Sequence, residues 1–527
     1  MSAWATMSMD SAACGRRRKG RDKDRRRELE GIGIPVLPTS RPPWRIPNLR
    51  EVLTSGQEGR SKRDACSTLW LQGMLFHTWP FVASFLVFYV GYLAVRKTRL
   101  CDYWLLAGSY GFYACWSPYF LLLILFTTTV DYLAVAAMAR SARKKPCLLV
   151  SILCNLGVLG FFKYNGFAIQ NLNALGLAIP DPGVALPVGI SFYTFRSLSY
   201  TIDCYRGQLA REPSFIRYAI FVSFFPQLVA GPIERASHLL PQIRRAGQLP
   251  VNLQGVSDGL SIFVVGLFKK VALADALAEY VDKFYDAPAA ADGSALLMAT
   301  FAFAWQIYFD FSGYTDMARG VSRMMGFDLM LNFNNPYLAT DFGDFWRRWH
   351  ISLSSWFKDY VYIPLGGNRA GALSTYRNMA LTMVISGLWH GAAWTFVIWG
   401  AVHALGRFLT REMERTAFYR ERVPTLAKQV FVFVFVCFAW VFFRAASWAD
   451  AMLILRKIGT DGLTDPRFPI FFLALVLLIW LYQFLFEWHF RRILESRAVN
   501  IALTFLMLLY LMLFATSTEQ PFIYVKF

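Results

Sequence analysis

Two histidines stand where chemistry is hardest to dismiss. His390 lies in Gly387-Leu-Trp-His-Gly391, between the apolar stretches Met379 to Leu388 and Ala392 to Trp399, so its imidazole falls near membrane depth rather than on a loop. A buried imidazole is more often a packing residue than a catalyst. The flanking glycines argue for chemistry, because they let another group approach the ring, and a neutral imidazole suits general-base work on a hydroxyl or thiol. His350 closes Asp344-Phe-Trp-Arg-Arg-Trp-His350, bracketed by Trp349 and Ile351, with Asp341 or Asp344 at hand to orient it. Two further polar runs, Asp310-Phe-Ser-Gly-Tyr-Thr-Asp316 and Tyr362-Ile-Pro-Leu-Gly-Gly-Asn-Arg369, sit among the same apolar segments. Ionisable groups in a membrane domain are costly, so such a cluster marks a functional site by default.

Other assignments stay open for part of this set. Phe345, Trp346 and Trp349 cover one helical flank and Arg347 and Arg348 another, which also describes an interfacial helix with its arginines reaching for phosphate. The Tyr362–Arg369 run reads as a loop whose backbone N–H groups approach an anion, or as a plain surface turn. His350, His390 and His403 lack the spacing of a helical metal pair, and H-E-x-x-H, C-x-x-C, G-x-S-x-G and P-loop motifs are absent. No metal site is expected. Two classes remain: acyl transfer by a buried histidine, and transport without chemistry.

The elements that must position these residues are membrane helices. Of 527 residues, 56% are hydrophobic and 17% charged, below the roughly 25% charged of ordinary globular chains. The net charge is +19; residues 1–73 hold 15 Lys/Arg against 8 Asp/Glu, leaving +12 for the remainder. That excess fits cytoplasmic loops facing anionic lipid. No nucleic-acid partner is expected, since the one dense basic run, Arg16 to Arg27, has no interleaved aromatics. The eight cysteines read as reduced packing residues.

Residues 1–73 are too poor in apolar periodicity to fold and form a disordered basic extension. Met74 is the expected start of the protein, because a tail carrying Arg16 to Arg27 would otherwise lie outside if Arg96–Arg99 and Arg140–Lys145 are cytoplasmic. Residues 74–527 then form one all-α, polytopic membrane domain. Its first span is Phe81 to Val95, followed by two spans turning at Trp116-Ser-Pro118 and by Leu148 to Phe162. Further stretches run through Ile501 to Phe514, and several are short for a span of about 20 residues. Roughly ten to twelve membrane-embedded helices result, some re-entrant, around a central cavity. Pro187 and Gly189 make the stretch to Arg206 a re-entrant or interfacial helix. Gly231-Pro232 ends another helix, with Glu234 and Arg235 expected at the membrane surface.

Taken together, these pieces resemble the membrane-bound O-acyltransferase (MBOAT) family, in its branch of alginate and peptidoglycan O-acetyltransferases. The resemblance rests on Pro187-Val-Gly-Ile-Ser-Phe-Tyr-Thr-Phe195, Phe225-Pro-Gln-Leu-Val-Ala-Gly-Pro-Ile233, Tyr308 to Asp316, Asn332-Phe-Asn-Asn-Pro-Tyr337, Asp344 to Ser354, Tyr362 to Arg369, Ser386 to Gly391 and Gln520-Pro-Phe-Ile-Tyr524. They run in the family's order over nearly all of residues 74–527. Family members usually begin where Met74 stands.

The resemblance implies a helical ring thinned around a central tunnel, with the catalytic histidine at His390 and the second functional histidine at His350. It implies a multi-pass protein of the bacterial inner membrane. Acetyl would come from a cytoplasmic donor, acetyl-CoA, acting as substrate with no cofactor bound. The acetyl would pass to a periplasmic partner of the SGNH-hydrolase type, which acetylates the polysaccharide. On charge alone, Lys358, Arg369 and Arg377 are the residues expected to attract the CoA phosphates.

Overall fold

The computed structural model describes residues 74–229, 231–462, 464–514 and 522–523. Residues 1–73, with the extension assigned to them, lie outside the described residues, as does most of Gln520–Tyr524. In chain order the helices are α1 Trp79–Val95, α2 Cys101–Ala114, α3 Pro118–Arg140, α4 Lys144–Leu159, α5 Asn165–Ala174, α6 Ile190–Tyr205, α7 Phe215–Ser223, α8 Phe225–Leu228, α9 Ala236–Arg244, α10 Leu253–Leu267 and α11 Asp275–Tyr285. They continue as α12 Gly293–Met324, α13 Phe342–Arg348, α14 Ile351–Phe357, α15 Gly371–His390, α16 Trp394–Met413, α17 Ala417–Glu421, α18 Thr425–Arg444, α19 Trp448–Thr460, α20 Ile470–Glu487, α21 Arg491–Leu494 and α22 Arg497–Phe514. Three π-helical segments, Gly160–Tyr164, Phe268–Ala274 and Lys358–Tyr362, interrupt this pattern. A π-turn inserts a residue into the i→i−4 ladder and re-aims the side chains beyond it.

Among the described residues, six stretches are long and apolar enough to cross a membrane: α3, the continuous Lys144–Ala174 run, α12, α18, α20 and α22. The all-α, polytopic expectation holds; against the ten to twelve embedded helices expected, six among the described residues qualify by length and apolarity. α1 is apolar but only 17 residues long, whereas α15 and α16, at 20 residues each, are interspersed with polar side chains. Pro118 opens α3 at its first turn, where its missing N–H costs nothing, so the turn at Trp116–Pro118 falls where the sequence puts it.

The centre of the fold is α12, buried along most of its 32 residues. Glycine permits its closest packing: a Cβ on Gly266 would lie 2.5 Å from the Gly313 carbonyl, and one on Gly320 would lie 2.5 Å from that of Gly259. Two seven-residue-spaced glycine pairs thus bring the backbones of α10 and α12 into contact, the small-residue packing used where lipid supplies no hydrophobic drive. Asp310 is not a free acid on this helix. Lys270, from the second π-segment, bridges Asp310 and Asp275 at 2.7 Å each, and the Ile523 N–H donates to Asp310 at 2.7 Å. Asp316 pairs with Lys269 and Arg319. Both acids of the Asp310–Asp316 run are therefore held in cross-links between elements.

Two local expectations change. α6 is buried at every residue from Ile190 to Thr201, which removes the interfacial alternative and leaves the re-entrant one. Glu234 is fully buried, because its carboxylate accepts from the Met330 N–H and pairs with His238.

Candidate active site

His390 is the last residue of α15 and is 2% exposed. Its ring sits 5.0 Å from Trp389, 4.9 Å from Trp399 and 5.5 Å from Phe443. The glycines beside it serve packing. A Cβ on Gly387 would lie 2.1 Å from the Phe396 carbonyl, and one on Gly391 would lie 2.0 Å from the Phe396 ring. What they admit is α16, which folds back on α15 so closely that Trp399 reaches the imidazole.

His350 lies outside the helix read from its motif. α13 ends at Arg348, Trp349 is extended, and His350 takes a left-handed backbone with φ 42° before α14 begins. A non-glycine residue in that region carries about 1–3 kcal/mol of strain and persists only where its surroundings over-determine it. Those surroundings are Asn332 and a box of rings. Asn332 Oδ1 lies 3.1 Å from His350 Nδ1 and accepts from the Ser352 N–H and hydroxyl. Phe311 meets the ring edge-on at 4.6 Å. Neither Asp341 nor Asp344 orients this imidazole: Asp341 caps α13 through the Gly343 and Asp344 N–H groups, and Asp344 is held by Arg347 and Arg348.

The two histidines share one neighbour. The Trp389 indole is 5.0 Å from His390 and 6.0 Å from His350, and both imidazoles are buried in an aromatic shell that keeps water out. A third buried histidine, His403, stands 4.6 Å beyond Trp399, and neither of its ring nitrogens has a hydrogen-bond partner among the described residues. Its only sequence signal was an imidazole in an apolar helix.

A cavity of about 410 Å³ lies against the face of α15 that carries Met379, Thr382, Met383 and Ser386. These positions and His390 follow helical spacing and share a face of α15; Ser386 is the last of them in the cavity lining, and His390 follows one turn, about 6 Å at helical rise, beyond it. Its other walls include Lys358, Arg407 and Arg411. Of the cations expected from charge, Lys358 lines this cavity, while Arg369 and Arg377 are exposed and outside its lining. Sequence reasoning missed Arg407, Arg411, Asn332, Lys163 and Tyr164. Asn332 was visible only within a family motif, and the others carried no local signature.

Polytopic helices, buried ring-packed imidazoles and a cation-edged cavity define a helical membrane protein with a polar site in its interior. Residues 190–449 match the model of the membrane-bound O-acyltransferase family. The chain is 36% identical over 426 residues to the "Peptidoglycan O-acetyltransferase" of Helicobacter pylori, covering 74% of this chain and 81% of that one. It is 42% identical over 398 residues to the "Probable alginate O-acetylase AlgI" of Pseudomonas aeruginosa, covering 74% and 75%. The "Teichoic acid D-alanyltransferase" of Bacillus subtilis is 29% identical over 270 residues, or 49% and 68%. The chain belongs to the membrane-bound O-acyltransferase family and is a multi-pass membrane O-acyltransferase.

Proposed function

We propose that this enzyme takes acetyl from acetyl-CoA at the cytoplasmic face of the bacterial inner membrane and passes it outward for O-acetylation of an extracytoplasmic polysaccharide such as alginate or peptidoglycan. The observation that carries the proposal is the cavity along α15, basic at Lys358 and Arg411, whose last lining residue on that helix, Ser386, lies one turn before the buried His390. In this scheme the phosphates of the donor rest against those cations and the thioester extends along α15 to His390.

His390 removes the proton from an acceptor hydroxyl, whose oxygen attacks the thioester carbonyl. The C–S bond breaks, and the leaving thiolate takes the proton back from the imidazolium. Thioester and alcohol become ester and thiol, with the base regenerated. His350, two rings away across Trp389, holds the acceptor or carries the proton outward. The aromatic shell excludes the water that would otherwise hydrolyse the acyl group. The immediate recipient is a periplasmic partner of the SGNH-hydrolase type, which sets the polymer.

The test is His390→Ala in cells. Polymer O-acetyl content should fall by about 10²–10⁴-fold, the contribution of a general base, with protein level and polymer secretion unchanged. Normal acetylation would end the assignment of His390. Purified protein should also transfer label from acetyl-CoA and not from palmitoyl-CoA; the reverse preference would replace the acetyl donor with a long-chain one.

A further inference from the structure

An α-helix leaves its last four carbonyls without intrahelical partners, and α15 ends at His390, so the four at issue are those of Gly387, Leu388, Trp389 and His390. Each one is taken. Gly391 N–H donates to Gly387 O at 3.3 Å. The Tyr164 hydroxyl donates to Leu388 O at 2.8 Å. Lys163 Nζ donates to Trp389 O at 2.6 Å and to His390 O at 3.0 Å. Three of the four are thus satisfied by two adjacent side chains more than 220 residues earlier in the chain.

Both side chains come from the first π-segment, Gly160–Tyr164. In an uninterrupted α-helix, adjacent residues project about 100° apart, and the extra residue of a π-turn is the local change that re-aims them. The ammonium also lies 5.7 Å over the Trp389 ring and brings positive charge to a helix C-terminus, where it is favoured. One group therefore fixes the backbone of His390, the carbonyl before it and the indole that separates it from His350.

We infer that Lys163, seconded by Tyr164, is a positioning residue that holds His390 in its reactive placement by capping α15 in trans. The inference rests on reading His390 as the base. Lys163 does not touch the reacting atoms; removing it frees two buried carbonyls and lets the helix end and the imidazole shift. A misplacement of about 1 Å is enough to cost about 10²-fold in rate.

The test compares Lys163→Met, Lys163→Arg, Tyr164→Phe and His390→Ala in detergent-purified protein, with acetyl-CoA as the variable substrate. Lys163→Met should lower kcat by about 10²-fold with KM for acetyl-CoA unchanged. Lys163→Arg, which keeps charge and donors, should recover most of that loss. Tyr164→Phe, a smaller change that preserves the fold, should lower kcat by about 3–10-fold with the same unchanged KM, following the loss of one of the three hydrogen bonds. Wild-type kcat in both Lys163→Met and Tyr164→Phe would overturn the inference, as would a loss that appears in KM alone. If Lys163→Met does not fold, Tyr164→Phe decides. Should His390→Ala itself stay active, the assignment of the base has failed instead, and the two failures are told apart.

Discussion

Asn332 determines which nitrogen of His350 carries the proton. The atom that faces the Ser352 backbone N–H must be the amide oxygen, because that N–H can only donate. The same oxygen lies 3.1 Å from His350 Nδ1, so Nδ1 carries the proton and Nε2 keeps its lone pair. Nε2 is buried with no partner among the described residues, ready to accept a proton or a hydroxyl hydrogen. Asn332→Ala should therefore free the ring to take the other tautomer and lower kcat by about 10–100-fold, the order seen when the partner that orients a metal-bound histidine is removed. Steady-state kinetics check this, and an unchanged kcat would show that the aromatic box alone sets the ring. His350→Gly relieves the left-handed strain while deleting the imidazole. It should be as inactive as His350→Ala yet melt higher, separating the chemical role of the residue from its backbone cost.

At the scale of elements, the three π-segments are the features that hydrophobic pattern conceals, and each delivers a lysine that the fold uses. Lys163 caps α15, Lys270 ties α12 to α11, and Lys358 edges the cavity. In sequence the first of these looked like the tail of an apolar span, Leu148 to Phe162, because one inserted residue leaves composition untouched while rotating the helix beyond it. The span boundaries near Val95, Trp116 and Pro118 were legible from apolar runs and proline, and His350 and His390 were legible as costly groups in apolar surroundings. Their partners were not, since Asn332, Lys163 and Trp399 meet them only through tertiary packing. Lys270→Met should strand two buried carboxylates and destabilise the protein by about 3–5 kcal/mol, seen as a large fall in melting temperature in detergent. A shift of only a degree or two would mean that Asp310 and Asp275 are satisfied without it. On α9, the hydrogen bond to Glu234 raises the pKa of His238 above its ordinary value of 6.5. A raised folded pKa stabilises below the unfolded value and is lost as pH rises through the folded one. His238→Gln should thus lower the melting temperature at pH 6 and have little effect at pH 9; an equal effect at both would remove the charge from the account.

Across the whole molecule, the proposed acetyl-CoA donor raises the question of how a chain this apolar would admit phosphate charge without stranding cations in lipid. The cavity beside α15 answers by grading its charges. Arg407 is already engaged, 3.8 Å from Asp341 and 3.5 Å from Glu414, and contributes little net field. Arg411 lies over the Tyr376 ring and near the Met379 sulfur, and like Lys358 it makes no ion pair among the described residues. Those two side chains are the ones the proposed anionic donor would neutralise, and Phe342, Trp346 and Phe357 form the apolar wall of the same cavity. Binding of that kind is equal in the ground and transition states, so losing it raises KM and spares kcat. Lys358→Gln with Arg411→Gln should raise KM for acetyl-CoA by about 10-fold or more, as expected for two charge-assisted contacts, and the wild-type KM should climb with ionic strength. With S-acetylpantetheine, which lacks the phosphates, the double variant should match the wild type. An equal loss on both donors would place the variant's defect in cavity shape rather than charge. No change on either would move donor entry to another face of the protein.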